Sequence, residues 1–150
     1  MLTETLQLIF TRDLQKLYKE ISLYRDEKKL WVIDKDILNS AGNLCLHIIG
    51  NLNTYIGKEL GGSGYVRNRE EEFSLKDIPR KVLLEKLEQT IETVENTLRA
   101  LSENILQQQY PVKVFDDYTT TEYMLVHLAA HLNYHLGQVN YHRRLIDVDR

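Results

Sequence analysis

The chain has 150 residues, 43% of them apolar and 27% charged, with a formal net charge of −3. That composition excludes a disordered chain. No run of about 18 apolar residues is present to span a membrane, and no dense Lys/Arg block is present to bind nucleic acid, whose phosphates demand one. The single cysteine, Cys45, excludes an internal disulfide. Together with an acidic N-terminal stretch unlike a signal peptide, it predicts a reducing, cytoplasmic location. The length predicts one domain over residues 1–150.

Leu6, Phe10, Leu14, Leu17, Ile21 and Tyr24 recur at spacings of three and four and predict a first helix over about residues 3–24. Arg12, Asp13, Lys16, Lys19 and Glu20 fill its other side as a solvated face. Residues 25–39 read as a connector in which Trp31 caps the end of the core. Asn39 or Ser40 is the expected N-cap of a second helix running to about Gly57. This helix is apolar nearly all round, from Leu44 to Ile56, and so belongs at the centre. His47 lies in its middle. Cys45 falls about 200° from His47 round the helix and reads as a buried thiol that takes no part in ligation. Asn43 and Asn51, four residues to either side of His47, share its face, lining a polar pocket, orienting a ligand or facing solvent.

Residues 58–73 read as a loop. Its Gly61-Gly-Ser-Gly64 is not a nucleotide phosphate loop, because no strand precedes it and no Gly-Lys-Ser/Thr follows. Arg67 and Arg69 either meet an anionic substrate or form a local ion-pair cluster with Glu70 to Glu72. Ser74-Leu-Lys-Asp77 resembles a capping box and Pro79 suits a helix start, so a third helix is expected to about residue 104. Leu84, Leu87, Ile91, Val94, Leu98, Leu101 and Ile105 give it a heptad seam, for packing inside a bundle or between subunits. Residues 107–115 form an extended crossing around Pro111. Thr119-Thr-Thr-Glu122 is a second capping box, and the fourth helix follows from about Thr120 to Leu145 or Ile146, some 40 Å long. The expectation is all-α: four helices in an antiparallel-type bundle.

The strongest chemical signal is on the fourth helix. His127, His131 and His135 stand at strict four-residue spacing, which stacks their Cβ atoms about 5–6 Å apart, close enough for two imidazoles to share a metal ion. Leu128, Leu132, Leu136 and Val139 form an apolar row about 100° away, so the histidine row borders the buried face. Imidazoles at a core edge need partners, and a shared cation is one. His142 shares the face but lies about 10.5 Å further along the axis, too far for the same ion. On spacing alone, either His127 or His135 can join His131.

Asn43-Leu-Cys-Leu-His47-Ile-Ile-Gly-Asn51 on an early helix and His131-x-x-x-His135-x-Gly-Gln138 on a late one resemble the DinB-like, or YfiT-like, metalloenzymes, over essentially the whole chain. The loop Tyr65-Val-Arg67-x-Arg69-x-x-Glu72-Phe73 resembles one uncharacterised branch of that family. The resemblance implies a four-helix bundle of unusual connectivity, often a homodimer, with a divalent metal held by His47, His131 and His135. Gly137-Gln138, in the family's position after the last histidine, selects His135 over His127. Where the family usually has an arginine after that histidine, this chain has Leu136. Zinc or nickel is the expected metal, with manganese or iron next.

Characterised relatives in that family include thiol-dependent transferases and a mycothiol-dependent isomerase. The resemblance therefore implies transfer of a low-molecular-weight thiol to a small electrophilic substrate. Three imidazoles leave an open position on a zinc-type ion, as catalytic sites do, so hydrolysis by an activated water is the alternative. Hydrolysis usually wants a carboxylate base, and none lies one turn from His131 or His135 on the fourth helix. The reading from another class is a non-enzymatic helical module with structural histidines, its third-helix seam binding a partner.

Overall fold

The apolar stripe Leu6, Phe10, Leu14, Leu17 and Ile21 is buried along its whole length and defines α1 (Leu2–Leu23) in the computed structural model, which describes residues 1–149. Asp13, expected on the solvated face, is instead buried on α1. It accepts bonds from Arg12 at 2.8 Å and from the Asn133 side chain at 3.2 Å, so this carboxylate ties α1 to the last helix. A 3₁₀ turn at Glu27–Trp31 buries Leu30 and Trp31 at the end of the core, as expected of the tryptophan.

Helix α2 (Ala41–Leu52) starts at Ser40, whose hydroxyl accepts the Asn43 amide N–H, and every one of its residues is buried. It continues as one turn of π-helix, Asn53–Lys58. The wider turn frees the Tyr55 carbonyl, which accepts the buried Tyr110 hydroxyl at 2.5 Å. The stretch expected to be wholly loop contains a short helix, α3 (Arg69–Ser74), capped by Asn68. The next helix, α4 (Arg80–Ala100), ends four residues short of the expected limit. Its start has no side-chain cap; Asp77 sits at φ 58°, so the Ser74–Asp77 capping box does not form. Leu83, Leu87, Thr90, Val94 and Leu98 make its buried seam, which leaves Leu84 and Ile91 at the edge. Leu101 and Ile105 lie beyond the helix. Helix α5 (Thr121–Ile146) is capped by Thr120, one residue later than the capping-box pattern suggested, and buries Leu128, Leu132, Leu136 and Val139.

The fold is all-helical, with five α-helices and no named strand among the described residues. The four longer helices close a ring. α1 packs chiefly on α4 and α5, and α2 packs on α4 and α5 from the opposite corner, so α1 and α2 lie diagonally. α3 packs chiefly on α2. Two side chains of the α1–α5 layer lock its far end. Tyr24 donates its hydroxyl to His142 Nδ1 at 2.6 Å, and His142 Nε2–H donates to the Val32 carbonyl at 2.8 Å. No helix among the described residues is long and apolar enough to cross a membrane.

Candidate metal centre

His47 projects from the middle of α2 toward α5, where the buried leucine row sets the angle at which His131 and His135 meet it. One nitrogen of each of the three rings lies within 4.8 Å of the others. The His131 Nε2 is 3.2 Å from His47 Nε2 and 3.1 Å from His135 Nε2. A tetrahedral ion with bonds of about 2.0–2.1 Å holds its ligand atoms about 3.3 Å apart, so the spacing matches a chelating set.

The protons point the same way. His47 Nδ1–H donates to Glu72 Oε1 at 3.0 Å, and His135 Nδ1–H donates to Gln138 Oε1 at 2.7 Å. Both Nε2 atoms therefore carry lone pairs toward the centre. At most one proton, on His131 Nε2, can lie among the three nitrogens. A cation satisfies all three at once. Burial lowers the His131 pKa to about 4, with its neighbours His135, His47 and His127 adding to the effect. Burial likewise lowers His135, against a raising contribution from Gln138. These rings are neutral at neutral pH, the form that ligates metal.

Glu72, expected only as part of a local ion-pair cluster, has a second role that the sequence did not indicate. It belongs to α3 yet is buried beneath His47. Burial acts to raise its pKa, but the hydrogen bonds from His47 and Arg67 and the Arg67 charge prevail, and the net shift is downward. The carboxylate is ionised. Arg67 grips it bidentately, Nε to Oε2 at 2.8 Å and Nη2 to Oε1 at 2.9 Å. Of the two expectations for Arg67, the local ion pair is the one formed, but with a buried acid and in contact with the site. Gly50 makes the space: a Cβ there would overlap Glu72 Oε2 and stand 2.6 Å from Cδ. A glycine inside a helix costs about 1 kcal/mol against alanine, so one three residues after His47 was the available signal of a close approach.

The asparagines beside His47 are both buried. The Asn43 amide donates to the carbonyls of Glu72 and Leu75 at 2.9 and 2.8 Å and so holds α3 to α2. Asn51 lines a recess of about 260 Å³ together with His47, His131, His127, Arg67 and Arg69. A larger cavity of about 570 Å³ on the other side is lined by His135, Gln138, Tyr134, Leu38, Leu44 and Leu145 among others. His127, the rival of His135 on spacing alone, stands outside the cluster: its ring centroid is 6.3 Å from that of His131 and it meets Phe115 edge-on at 4.9 Å. Cys45 is fully buried, and burial pushes its thiol up to about 12. It belongs to the core, as expected.

Fold and site together define an all-helical protein with three convergent histidines at the edge of its core, close enough to hold a metal ion. The chain belongs to the family described as "Protein of unknown function (DUF1572)", which matches residues 5–150. A comparison with curated proteins returned no match.

Proposed function

We propose that this protein is a divalent-metal-dependent enzyme of the DinB-like (YfiT-like) kind, with His47, His131 and His135 as the ligands. The observation that carries the reading is the convergence of three Nε2 atoms, two of them fixed as lone-pair donors by acceptors on Nδ1. Imidazole-only donors suit zinc or nickel, then manganese or iron. Such an ion supplies Lewis acidity that lowers the pKa of a thiol or a water reaching it.

The chain's own residues do the rest. Glu72 and Gln138 hold their histidine rings in one tautomer and orientation. Arg67 keeps Glu72 ionised and in place. Both Glu72 oxygens are engaged, so the one carboxylate that the fold brings to the histidines among the described residues is not free to serve as a general base. That supports transfer of a low-molecular-weight thiol to an electrophilic small molecule over hydrolysis. The resemblance adds a homodimeric, cytoplasmic single-domain enzyme to the proposal.

Metal content by mass spectrometry, on untagged protein beside His131→Ala, tests the reading. Near-stoichiometric metal in the parent and its loss in the variant is the expected result, followed by a screen of thiols against electrophiles. A metal-free parent whose melting temperature is unmoved by zinc, nickel or manganese would overturn it in favour of a helical interaction module.

A further inference from the structure

We infer that the recess beside the histidines is the seat of an oxyanion, a carboxylate or phosphoryl group carried by the substrate, with Arg69 as its principal anchor. Its meaning as a substrate anchor rests on the metalloenzyme reading. The recess itself does not.

The charge distribution carries the argument. Among the residues lining the recess, the charged side chains are Arg67 and Arg69, and no carboxylate lines it. Arg67 is already neutralised by Glu72 through Nε and one Nη. Its other Nη has no protein partner among the described residues. Arg69 makes no ion pair and no hydrogen bond among the described residues. Its guanidinium stands 6.0 Å from the Phe73 ring centroid, and that ring packs on His47 at 5.0 Å. Two neighbouring glutamates, Glu70 and Glu71, are exposed and could have quenched this charge, yet neither lies within ion-pairing distance. An uncompensated guanidinium, preset against an aromatic face at the lip of a concave site, is the arrangement that recognises oxyanions.

Two further polar atoms beside the recess are unpartnered. Asn51 Oδ1 and His131 Nδ1, on residues that line the same recess, are buried and have no hydrogen-bond partner. When His131 Nε2 gives its lone pair to a metal ion, Nδ1 carries the ring proton and is a donor seeking an acceptor, as the arginines beside it are; in the metal-free protein the arginines alone supply the donors. Buried polar atoms of this kind are destabilising when unpaired. A volume of about 260 Å³ matches roughly nine waters at ~30 Å³ each, which suits a small molecule or one polar end of a larger one.

Inorganic phosphate and malonate are the probes, titrated into metal-free and zinc-loaded protein while the arginine Nε–Hε resonances are followed by NMR. Metal content is counted in each sample. A saturable shift of the Arg69 resonance is expected. Arg69→Gln should weaken binding about tenfold to hundredfold, as loss of a charge-assisted bond does. Arg69→Lys should recover part of it, and the remote, exposed Arg99→Gln should change nothing. Preference for malonate identifies a carboxylate, and preference for phosphate a phosphoryl group. Absence of saturable binding in both forms overturns the inference, as does equal affinity in Arg69→Gln. Oxyanion binding by a protein that never takes up metal would sustain the recess and remove the metalloenzyme reading. Metal uptake without Arg69-dependent binding would do the reverse.

Discussion

Gly50 and Glu72 occupy one volume: the carboxylate of Glu72 lies where a side chain at position 50 would begin. The absence of a Cβ on α2 is what lets an acid from α3 pass beneath His47 and take its Nδ1 proton as a hydrogen bond. Alanine for glycine in a helix interior ordinarily stabilises by about 1 kcal/mol. Here Gly50→Ala should destabilise by about 1–3 kcal/mol through overpacking. In a Glu72→Ala background the same substitution should become neutral or stabilising. Urea unfolding of the four proteins in the cycle measures the coupling, and additivity would show that the two residues do not compete for the space.

Glu72→Gln retains the shape but removes the charge. The amide oxygen can still accept from His47, while its NH₂ then faces the Arg67 Nε–H, donor against donor. Removal of such a partner typically costs tenfold to hundredfold in metal affinity. Competition with a coloured chelator should show zinc binding about that much weaker, with a near-parental circular dichroism spectrum. Unchanged affinity would mean that Glu72 is no more than a packing residue.

His142 predicts a pH dependence away from the three-histidine cluster. Burial lowers its pKa from the ordinary 6.5, partly offset by its bond to the Val32 carbonyl. Between the depressed folded value and 6.5 the unfolded chain binds the extra proton, so stability rises with pH there. The contribution of the neutral ring is present above 6.5 and is lost as pH falls through the folded value. The drop in melting temperature on acidification should be shallower in His142→Gln than in the parent. Parallel curves would count against a neutral buried ring.

Cys45 should be chemically silent in the native state. A fully buried thiol pushed up to about 12 has almost no thiolate at pH 8. A chromogenic disulfide reagent should therefore react with it at the rate of unfolding, and quantitatively in denaturant. Prompt reaction with native protein would place the sulfur at the surface and reopen it as a participant in the chemistry.

The long elements and the histidine row of the last helix were legible in the sequence because they rest on periodicity, whereas His47, and His135 over His127, were singled out by the resemblance of the flanking motifs. Leu6 to Ile21 and Leu128 to Val139 announce their buried faces, and His131-x-x-x-His135 announces its shared one. Asp13 was misplaced because its neighbours are charged; only the third dimension brings Asn133 to it. The Ser74–Asp77 box failed because the Asn43 amide, from another helix, takes the Glu72 and Leu75 carbonyls and fixes the chain in a different course. Glu72 itself was hidden among three consecutive glutamates. Nothing local distinguishes the one that is buried, and its partners His47 and Gly50 lie more than twenty positions away.

Two of the three converging histidines stand one turn apart on α5, while the third comes from α2, 84 positions earlier. The pair therefore survives in any state where the last helix flickers into existence, and an unfolded chain keeps part of its grip on a divalent cation. Ligand that also binds the denatured ensemble returns less stability than its native affinity implies. Saturating zinc should accordingly raise the unfolding free energy by less than the native dissociation constant dictates, and the shortfall measures how much of α5 nucleates around the ion alone.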